Sequence, residues 1–415
     1  MVERTSSTDS YSIAFSNTSI QEIVADQNQF DIIIAGAGAA GLSLLWRILE
    51  SPKLREQKLL LIDKDLKPAN DKTWCFWEDL ELPGSDLIYH SWNHLQVRIK
   101  NQTFQESLKN YTYHCLRSID FANSVLRKAK EHLNATTLEA EIHDFSYEND
   151  QGIVHTSKGD FISGHVFQSV KKPLDFSNLK VDISLIQHFL GWEIETSRKC
   201  FNPEKAIFMD FEVPQKNGIT FMYLLPFSEK NALVEYTIFS EKIIQKELYE
   251  QEIYSYLEEN YGLQSDQFSI KREEFGAIPM DDRKYPAWYC KNVLNIGTVA
   301  GLPKPTTGYT FSRIQKHSEK IINSLEKGIK LPESQASSYR FRVYDLMMLY
   351  LMKFETDNAL KAFNNLFEKN EFDMVLRFLG EETNFAQELS IFSKMPYRAF
   401  IRSIYQMKHR IFTGA

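Results

Sequence analysis

The chain is short of cysteine and carries no excess of positive charge. Its 415 residues include four cysteines, none of them in a CxxC pair, and its ten histidines form no HExxH cluster. Scattered single thiols are typical of reduced cytoplasmic proteins and give no metal-binding signature, so we predict no metal site. The formal net charge of −7 argues against a nucleic-acid partner, which would favour a basic surface.

Long apolar runs are also missing from the sequence. No stretch of 18 apolar residues occurs, so we expect no membrane-spanning helix. The opening MVERTSSTDSYSIAF lacks the basic and then apolar order of a secretory signal, and the polar residues 1–29 predict a flexible leader. Aromatic residues, in contrast, are abundant, with 29 Phe, 19 Tyr and 6 Trp. They either fill a core or line a large pocket for an apolar ligand.

A glycine-rich turn follows the first buried strand. Residues 31–35 form an apolar run that leads into G-x-G-x-x-G at Gly36, Gly38 and Gly41, and a helix is predicted to begin there. Gly36 permits a tight turn, Gly38 lets a pyrophosphate approach the backbone, and Gly41 lets helix and strand pack closely. Asp63, 22 positions after Gly41, ends the next strand and would bind the ribose hydroxyls. The predicted phosphate-binding turn comprises Gly36, Ala37, Gly38, Ala40 and Gly41.

A second turn of small residues lies far downstream, in NIGTVAGLPKPTTGYTF. A buried strand over residues 293–297 precedes this turn, and a helix over 311–327 follows it. Such a turn suits a dinucleotide that reaches across the fold, although a purely structural turn between strand and helix explains the same pattern. The candidate cofactor-binding residues here are Gly297, Thr298, Gly301, Pro305, Thr307 and Gly308.

The spacing of apolar residues predicts a sheet region and a helical region in the rest of the chain. Period-two alternation after residue 136 predicts an antiparallel sheet, and the last 80 residues read as helical. We therefore predict an α/β fold in which a Rossmann-type FAD-binding domain is interleaved with an antiparallel substrate-binding sheet and followed by a helical C-terminal region. The predicted limits are 1–29 for the leader, 30–135 for the first part of the FAD-binding domain, 136–275 for the sheet, 276–330 for the second part of the FAD-binding domain, and 331–415 for the helical region.

Nine segments of the chain carry a family resemblance. They stand in the order DIIIAGAGAAGLSL, DKTWCFW, QHFLGWEIET, MDFEV, FMYLLPF, LVEYTIFSE, EEFGAIPM, IGTVAGLPKPTTGYTF and RFLGEET. Together they resemble the flavin-dependent lycopene β-cyclase family. The glycine motif alone does not distinguish FAD from NAD, but the resemblance implies FAD, active in its reduced form, with NAD(P)H as the reductant.

The resemblance also implies an activity and a place of action. The substrates would be lycopene and related linear carotenoids, whose ψ end groups become β-ionone rings, through γ-carotene to β-carotene, with no net redox change. Because these hydrocarbons dissolve in bilayers, the enzyme would work peripherally at the cytoplasmic side of a membrane. Its flavoprotein superfamily includes aromatic hydroxylases and geranylgeranyl reductases.

Two positions depart from the patterns of related proteins. The hydroxylases usually carry Gly-Asp before the second turn, where this chain, like the cyclases, has Gly297-Thr298; this counts against a monooxygenase. The family often shows Asp-Ser-Arg near the end of the inserted sheet, where this chain has residues 168–170, Gln-Ser-Val. Any role of that arginine is therefore absent or carried by another residue.

Ring closure requires an acid strong enough to protonate an alkene. A carboxyl group in a dry site fits this role, because burial raises its pKa above about 4.3 and keeps it protonated. Glu235 is the first candidate, since it interrupts the apolar run LVEYTIF and the family's acidic Glu-x-Thr segment falls on Glu235 and Thr237. A position on the solvated face of a sheet explains the same pattern. Other candidate acids are Glu193, Glu195 and Asp210, and we rank Glu273 and Glu274 last.

The product of that protonation is a tertiary carbocation. The pocket must exclude water, and aromatic faces stabilise a cation by up to about 2 kcal/mol each when desolvated. Candidate aromatic residues are Trp192, Phe221, Tyr223 and Tyr236. By the resemblance, the anionic reduced flavin would lie beside the cation and explain why a reaction without redox balance needs a redox cofactor.

The C-terminal region alternates apolar and basic residues. The segments DLMMLYLMKF and PYRAFIRSIYQMKHRIF resemble elements that bind a membrane surface, although a helical subdomain packed on the core has the same composition. Two other functions stay open on the sequence. One is a flavin-dependent oxidoreductase acting on an isoprenoid, such as a geranylgeranyl reductase or a monooxygenase-like enzyme; the other is a flavin-free isoprenoid carrier.

Overall fold

The computed structural model describes residues 28–170, 179–332 and 337–412. The predicted leader therefore lies outside the described residues, apart from its last two positions. The strands, numbered in chain order, are β1 (Gln29–Ala35), β2 (Leu59–Asp63), β3 (Thr73–Phe76), β4 (His90–Trp92), β5 (His94–Ile99), β6 (Gln102–Ser107), β7 (Tyr113–Arg117), β8 (Ala135–Glu139), β9 (Ile142–Glu148), β10 (Gln151–Thr156), β11 (Gly159–Gln168), β12 (Ser184–Thr196), β13 (Lys205–Asp210), β14 (Ile219–Pro226), β15 (Asn231–Ser240), β16 (Phe268–Asp281), β17 (Trp288–Cys290) and β18 (Val293–Asn295).

Four of the ten helices in the described residues lie between the strands or directly after them, and the other six follow one another between residues 339 and 412. They are α1 (Ala39–Glu50), α2 (Ser118–Glu131), α3 (Lys246–Tyr261), α4 (Phe311–Lys327), α5 (Tyr339–Phe354), α6 (Thr356–Lys369), α7 (Phe372–Leu379), α8 (Phe385–Phe392), α9 (Tyr397–Gln406) and α10 (Lys408–Phe412). Two short 3₁₀ turns, Ser85–Leu87 and Gly297–Ala300, interrupt the loops.

The first sheet contains the predicted βαβ unit. Its strand order is β17-β18-β11-β1-β2-β8, with β10 and β9 added as an antiparallel ribbon on β11. The strands β18, β11, β1, β2 and β8 are mutually parallel. The strand β1 is almost fully buried because helices α1, α2 and α4 bury their apolar residues in the same core. This confirms the predicted Rossmann-type nucleotide-binding fold.

The second sheet lies beside it, with the order β16-β12-β15-β14-β13-β5-β6. All its neighbouring strands are antiparallel except β13 and β5, which are parallel. One face packs against α3, where Trp192 and Tyr236 join Tyr249, Ile253 and Tyr256 in a buried cluster. The opposite face looks towards the first sheet and the C-terminal helices. A third, smaller sheet has the order β3-β7-β4.

The sheets do not divide the chain at the predicted limits. The strands β8–β11, between residues 135 and 168, belong to the first sheet rather than to the substrate sheet that we predicted from residue 136. Conversely, β5 and β6, between residues 94 and 107, belong to the second sheet although they fall within the predicted 30–135 segment. The reason is physical: period-two alternation marks a strand with two different faces, but it does not indicate which sheet the strand joins.

The C-terminal region is helical, as predicted, and its first helix is mainly a core element. Leu346, Met347, Leu349, Leu351 and Met352 of α5 are buried with the second sheet's apolar residues. Of the two interpretations of the segment DLMMLYLMKF, a membrane-surface element or a helix packed on the core, the structure supports the second for most of its apolar residues. Aromatic pairs join this region to the sheet, with ring centroids of 5.2 Å for Phe211–Phe363 and 6.4 Å for Phe208–Phe367.

Candidate active site

The glycine turn between β1 and α1 has the shape that a dinucleotide requires. Gly36 has φ of +108°, a conformation that side chains disfavour, and a Cβ there would lie 2.2 Å from the Ser169 Oγ. A Cβ at Gly41 would lie 1.8 Å from the carbonyl oxygen of Gly36, so α1 approaches β1 closely only with glycine at this position. A Cβ at Gly38 would meet no atom within 4 Å, which leaves open space above the turn.

Asp63 closes this turn at the end of β2. Its Oδ2 accepts a hydrogen bond of 2.6 Å from the backbone N–H of Ala37. The helix α1 begins immediately beyond, at Ala39, so its first N–H groups, which have no partners within the helix, face the same space. An acidic side chain, a glycine turn and a helix amino terminus thus meet at one point.

The second turn packs against the first. Gly297 and Gly308 have φ of +67° and +68°, and a Cβ at Gly297 would lie 3.0 Å from the Cβ of Ala40. Buried Lys304 anchors the turn, since its Nζ lies 3.0 Å from Asp345 and 2.9 Å from Glu381. Thr298 and Thr307 line the space in front of the glycine turn, whereas Gly301 and Pro305 line a neighbouring cavity of about 490 Å³.

One cavity of about 590 Å³ joins these turns to the second sheet. Its lining from the nucleotide-binding side includes Ala37, Gly38, Asp63, Thr298, Thr307 and Gly308. Its lining from the substrate side includes Thr73, Tyr113, Tyr223, Glu235, Glu274 and Tyr309. The structure therefore brings the predicted dinucleotide turns and the first candidate acid to the walls of the same space.

An unpaired amide also faces this cavity. Gln187 of β12 is buried, and its Oε1 has no hydrogen-bond partner among the residues that the structure describes. A Cβ at Gly308 would lie 1.9 Å from that oxygen, so the second turn and the amide are in close contact. The diphosphate of a dinucleotide would accept hydrogen bonds from the N–H groups of the turns, and a hydrogen-bond donor on the same ligand would bind the Gln187 Oε1. FAD carries both kinds of group, so these residues fit FAD.

Glu235 of β15 is the buried acid of the cavity, with an exposed fraction of 8%. Its Oε1 accepts a hydrogen bond of 2.8 Å from the hydroxyl of Thr237. Burial and the neighbouring carboxyl of Glu274 raise the pKa of Glu235 well above its ordinary value, against the smaller opposing effects of Thr237 and Arg272. This raised pKa favours the protonated form of Glu235, which is the form that a proton donor needs.

Tyrosines surround this acid. The hydroxyls of Tyr223 and Tyr309 lie 3.4 Å apart on the cavity wall, and burial raises the pKa of both phenols, so both rings stay neutral. Of the aromatic candidates, Tyr223 lines the cavity, whereas Tyr236 and Trp192 lie on the opposite face of the sheet, against α3. Phe221 packs in the core with Phe211.

The other predicted acids are placed differently. Glu193 shares the face of Glu235 and accepts a hydrogen bond of 2.9 Å from the Nε of Arg272. Glu195 lies at the surface, with about half of its side chain exposed and 2.7 Å from the Nζ of Lys271. Neither is among the residues that line the cavity. Glu193 therefore lies beside the site, where it shares Arg272 with Glu274, whereas Glu195 is exposed to solvent.

Asp210 lies on the far face of the second sheet. Its carboxylate accepts hydrogen bonds of 2.8 Å from both Arg98 and the hydroxyl of Tyr256 of α3. In register, Asp210 faces Met222, which in turn faces Tyr236, so these three point away from Tyr223 and Glu235. Burial raises the pKa of Asp210, with Arg98 opposing. Asp210 is buried in an apolar strand because it forms an ion pair with Arg98, and it does not line the cavity.

The residues that sequence reasoning ranked too low are Glu274 and its partners. Glu274 has an exposed fraction of 3% and accepts a hydrogen bond of 2.9 Å from the hydroxyl of Thr73. Arg272, two residues earlier on β16, also binds Glu274. The signal that could have found them is the alternation Arg272–Glu274–Gly276, which puts both charges on one strand face.

Known proteins with a similar sequence match most of this chain. The sequence model of a family described as lycopene cyclase protein matches residues 31–405. The chain belongs to the lycopene cyclase family. A relative described as lycopene beta-cyclase from Pantoea ananas is 31% identical over 297 residues, covering 68% of this chain and 72% of the relative. Another lycopene beta-cyclase, from Pseudescherichia vulneris, is 26% identical over 392 residues, covering 88% and 92%.

Solved structures with the same fold are flavoproteins of other kinds. A geranylgeranyl bacteriochlorophyll reductase-like protein from Thermoplasma acidophilum has a TM-score of 0.55 at 12% identity and covers 93% of this chain and 98% of its own. A flavin-dependent brominase has a TM-score of 0.56 at 13% identity and covers 92% and 100%. At such low identity the likeness establishes the fold alone, and it confirms the predicted flavoprotein architecture.

Proposed function

We propose that this lycopene cyclase family member is a lycopene β-cyclase that closes the linear ψ end groups of lycopene and related carotenoids to β-ionone rings. The observation that carries the proposal is the cavity shared by the dinucleotide turns and the buried Glu235, whose pKa burial raises well above its ordinary value. The family membership and the curated lycopene beta-cyclase relatives support the same reaction.

In the proposed reaction, Glu235 gives one proton to the polyene and takes one proton back from the cyclised cation. The O–H bond of Glu235 breaks while a C–H bond forms at the terminal alkene of the polyene, and the internal double bond closes the ring. The carboxylate of Glu235 then removes a proton from the cyclised cation, which restores both the acid and a neutral product. No electron is gained or lost, so the reaction needs no stoichiometric oxidant or reductant.

The walls of the cavity protect the cation from water. Tyr223, Tyr309 and Phe189 line it, and neutral aromatic rings stabilise a cation without attacking it as water would. The cofactor turns would hold FAD through Gly38, the α1 amino terminus and Asp63. Reduced FAD, when bound, supplies negative charge near the developing cation. We propose NAD(P)H as the reductant that prepares it.

Contact with a membrane follows from the substrate's insolubility in water. Among residues 28–170, 179–332 and 337–412, no helix combines the length and the apolar character that a membrane crossing requires. Two C-terminal helices do expose apolar side chains at a spacing of four residues, namely Phe385 and Leu389 on α8, and Tyr397, Ile401 and Tyr405 on α9. Exposed Arg398, Arg402 and Lys408 accompany them. We propose that these helices bind the cytoplasmic side of a membrane peripherally.

Expression in cells that accumulate lycopene tests the proposal. We expect the linear pigment to be replaced by a doubly ringed carotene, and Glu235→Gln to leave the linear pigment unchanged while the purified variant keeps its flavin. Glu195→Gln, which changes an exposed carboxylate on a neighbouring strand, is the matched control and should cyclise normally. Unchanged lycopene in cells that contain folded, flavin-bearing wild-type protein would refute the proposed reaction.

A further inference from the structure

Glu274 faces Glu235 across a glycine. In the register of the second sheet, Gly191 of β12 pairs with Glu274 of β16 on one side and with Glu235 of β15 on the other. Side chains of directly paired residues point to the same face of a sheet. A Cβ at Gly191 would lie 3.1 Å from the Cγ of Glu274 and 3.4 Å from the Cβ of Glu235. The missing side chain therefore leaves the two buried carboxyl groups next to each other, so that each shifts the pKa of the other.

The charges around this pair are unequal. Glu274 receives hydrogen bonds from Arg272 and from the hydroxyl of Thr73, and the Arg272 side chain is itself only 9% exposed. Glu235 receives a hydrogen bond from the neutral hydroxyl of Thr237. Burial raises the pKa of both carboxyl groups, well above its ordinary value for Glu235, whereas at Glu274 the neighbouring Arg272 and Thr73 oppose the effect of burial. Two carboxylates this close do not both stay ionised in a buried site, and the one beside Arg272 keeps the charge. The proton of the pair therefore belongs to Glu235.

We propose that Glu274, held ionised by Arg272 and Thr73, is a positioning residue that acts through Glu235 by keeping it protonated. This inference rests on the proposed cyclase function and adds a second carboxyl to it. After Glu235 has given up its proton, the adjacent Glu274 charge makes the new carboxylate a stronger base. The same pair therefore favours the return of a proton from the cyclised cation to Glu235.

Other titratable groups face Glu235 but do not compete with this pair. Cys75 of β3, Tyr113 of β7, Tyr223 of β14 and Tyr309 of the second turn surround it. Burial raises the pKa of Cys75 to about 12, and it raises the pKa of each of the three phenols above its ordinary value. We therefore expect the fall of the cyclisation rate with rising pH, the alkaline limb of the profile, to reflect loss of the proton from the Glu235–Glu274 pair.

The test is the pH profile of kcat for Glu274→Gln. Removing the negative charge leaves Arg272 beside Glu235, so the alkaline limb should move towards acid by about one pH unit or more. Cyclisation lost at neutral pH should return in part at lower pH. Glu274→Asp keeps the charge and should keep the limb near the wild-type position. The control is Glu273→Gln, since Glu273 binds Lys246 and Trp192 and has 38% of its side chain exposed.

A merely structural role for Glu274 would lower the rate equally at every pH, and an unmoved limb in Glu274→Gln would overturn the inference while leaving the cyclase function intact. Infrared difference spectroscopy gives a second readout that does not depend on whether this variant folds. Wild-type protein at neutral pH should show a protonated carboxyl band that Glu235→Gln removes, and its absence would contradict the assignment of the proton. Wild-type protein without any cyclisation would instead refute the proposed function itself.

Discussion

Glu235 and Glu274 occupy neighbouring positions on either side of Gly191, and Arg272 forms an ion pair with the second of them. Burial therefore forces one proton into the pair, and the arginine decides where it resides. This arrangement gives the cavity a neutral acid at a pH where an ordinary glutamate is ionised.

The close packing of α1 on β1 depends on Gly41. We expect Gly41→Ala to destabilise the fold by about 1–3 kcal/mol and to weaken FAD binding, because the new Cβ would meet the Gly36 carbonyl oxygen at 1.8 Å. Gly38→Ala should weaken FAD binding while leaving the flavin-free protein as stable as wild type. Denaturant unfolding and flavin titration measure the two effects. Gly164→Ala, with nothing within 4 Å, is the control.

The raised pKa of Glu235 makes stability depend on pH with a definite sign. The folded protein holds this proton more tightly than the unfolded chain, whose glutamate titrates near the ordinary value of 4.5. The resulting stabilisation is complete below that value and is lost as pH rises towards the folded pKa. We expect the free energy of unfolding of the wild type, minus that of Glu235→Gln, to decrease as the pH rises from the ordinary value of 4.5 towards the folded pKa. Parallel curves for the two proteins would contradict a buried neutral Glu235.

Asp210 should prove important for stability and not for the chemistry. Asp210→Asn leaves Arg98 and Tyr256 without their charged partner, and breaking a buried ion pair costs about 3–5 kcal/mol, with less expected here because Arg98 is 29% exposed. We expect a loss of about 2 kcal/mol in unfolding experiments. Turnover per folded molecule should be unchanged. A variant that is stable but unable to cyclise would return Asp210 to the list of acids.

The exposed apolar residues of α8 and α9 should govern attachment to a bilayer. We expect the double variant Leu389→Glu and Ile401→Glu to lose most of its affinity for anionic liposomes, because it removes apolar side chains and adds like charge. Both positions are more than half exposed, so the fold should tolerate the change. Cosedimentation with liposomes measures the binding, and Leu133→Glu, at a fully exposed position on the loop after α2, is the control. Equal binding by all three proteins would contradict this surface.

The local structure around the cofactor turns could be predicted from the sequence because it depends on residues that lie close together along the chain. Gly36, Gly41 and Asp63 lie within one βαβ unit, where spacing alone determines the geometry. Glu235 was predicted because an acid inside an apolar strand is costly unless it is paired or functional. Asp210 satisfied the same rule for a different reason, since its partner Arg98 lies 112 residues away in the chain.

What the sequence could not supply is long-range register. That Gly191 separates Glu235 from Glu274 follows only from the order of β15, β12 and β16, and their sequences do not encode this order in any local pattern. The same limit explains why the predicted 30–135 segment of the FAD-binding domain includes β5 and β6, which belong to the second sheet. Pairing across the sheets, rather than the properties of single strands, decides which acids reach the cavity.

Isotope incorporation in heavy water tests the proton transfer most directly. Purified protein with reduced FAD, given lycopene in liposomes in D₂O, should form β-carotene that carries one deuterium for each ring closed, because Glu235 exchanges its proton with solvent before it donates. Glu235→Gln under the same conditions should form no ring. Ringed product of unchanged mass from the wild-type protein, or deuterated product from the Glu235→Gln variant, would contradict the account.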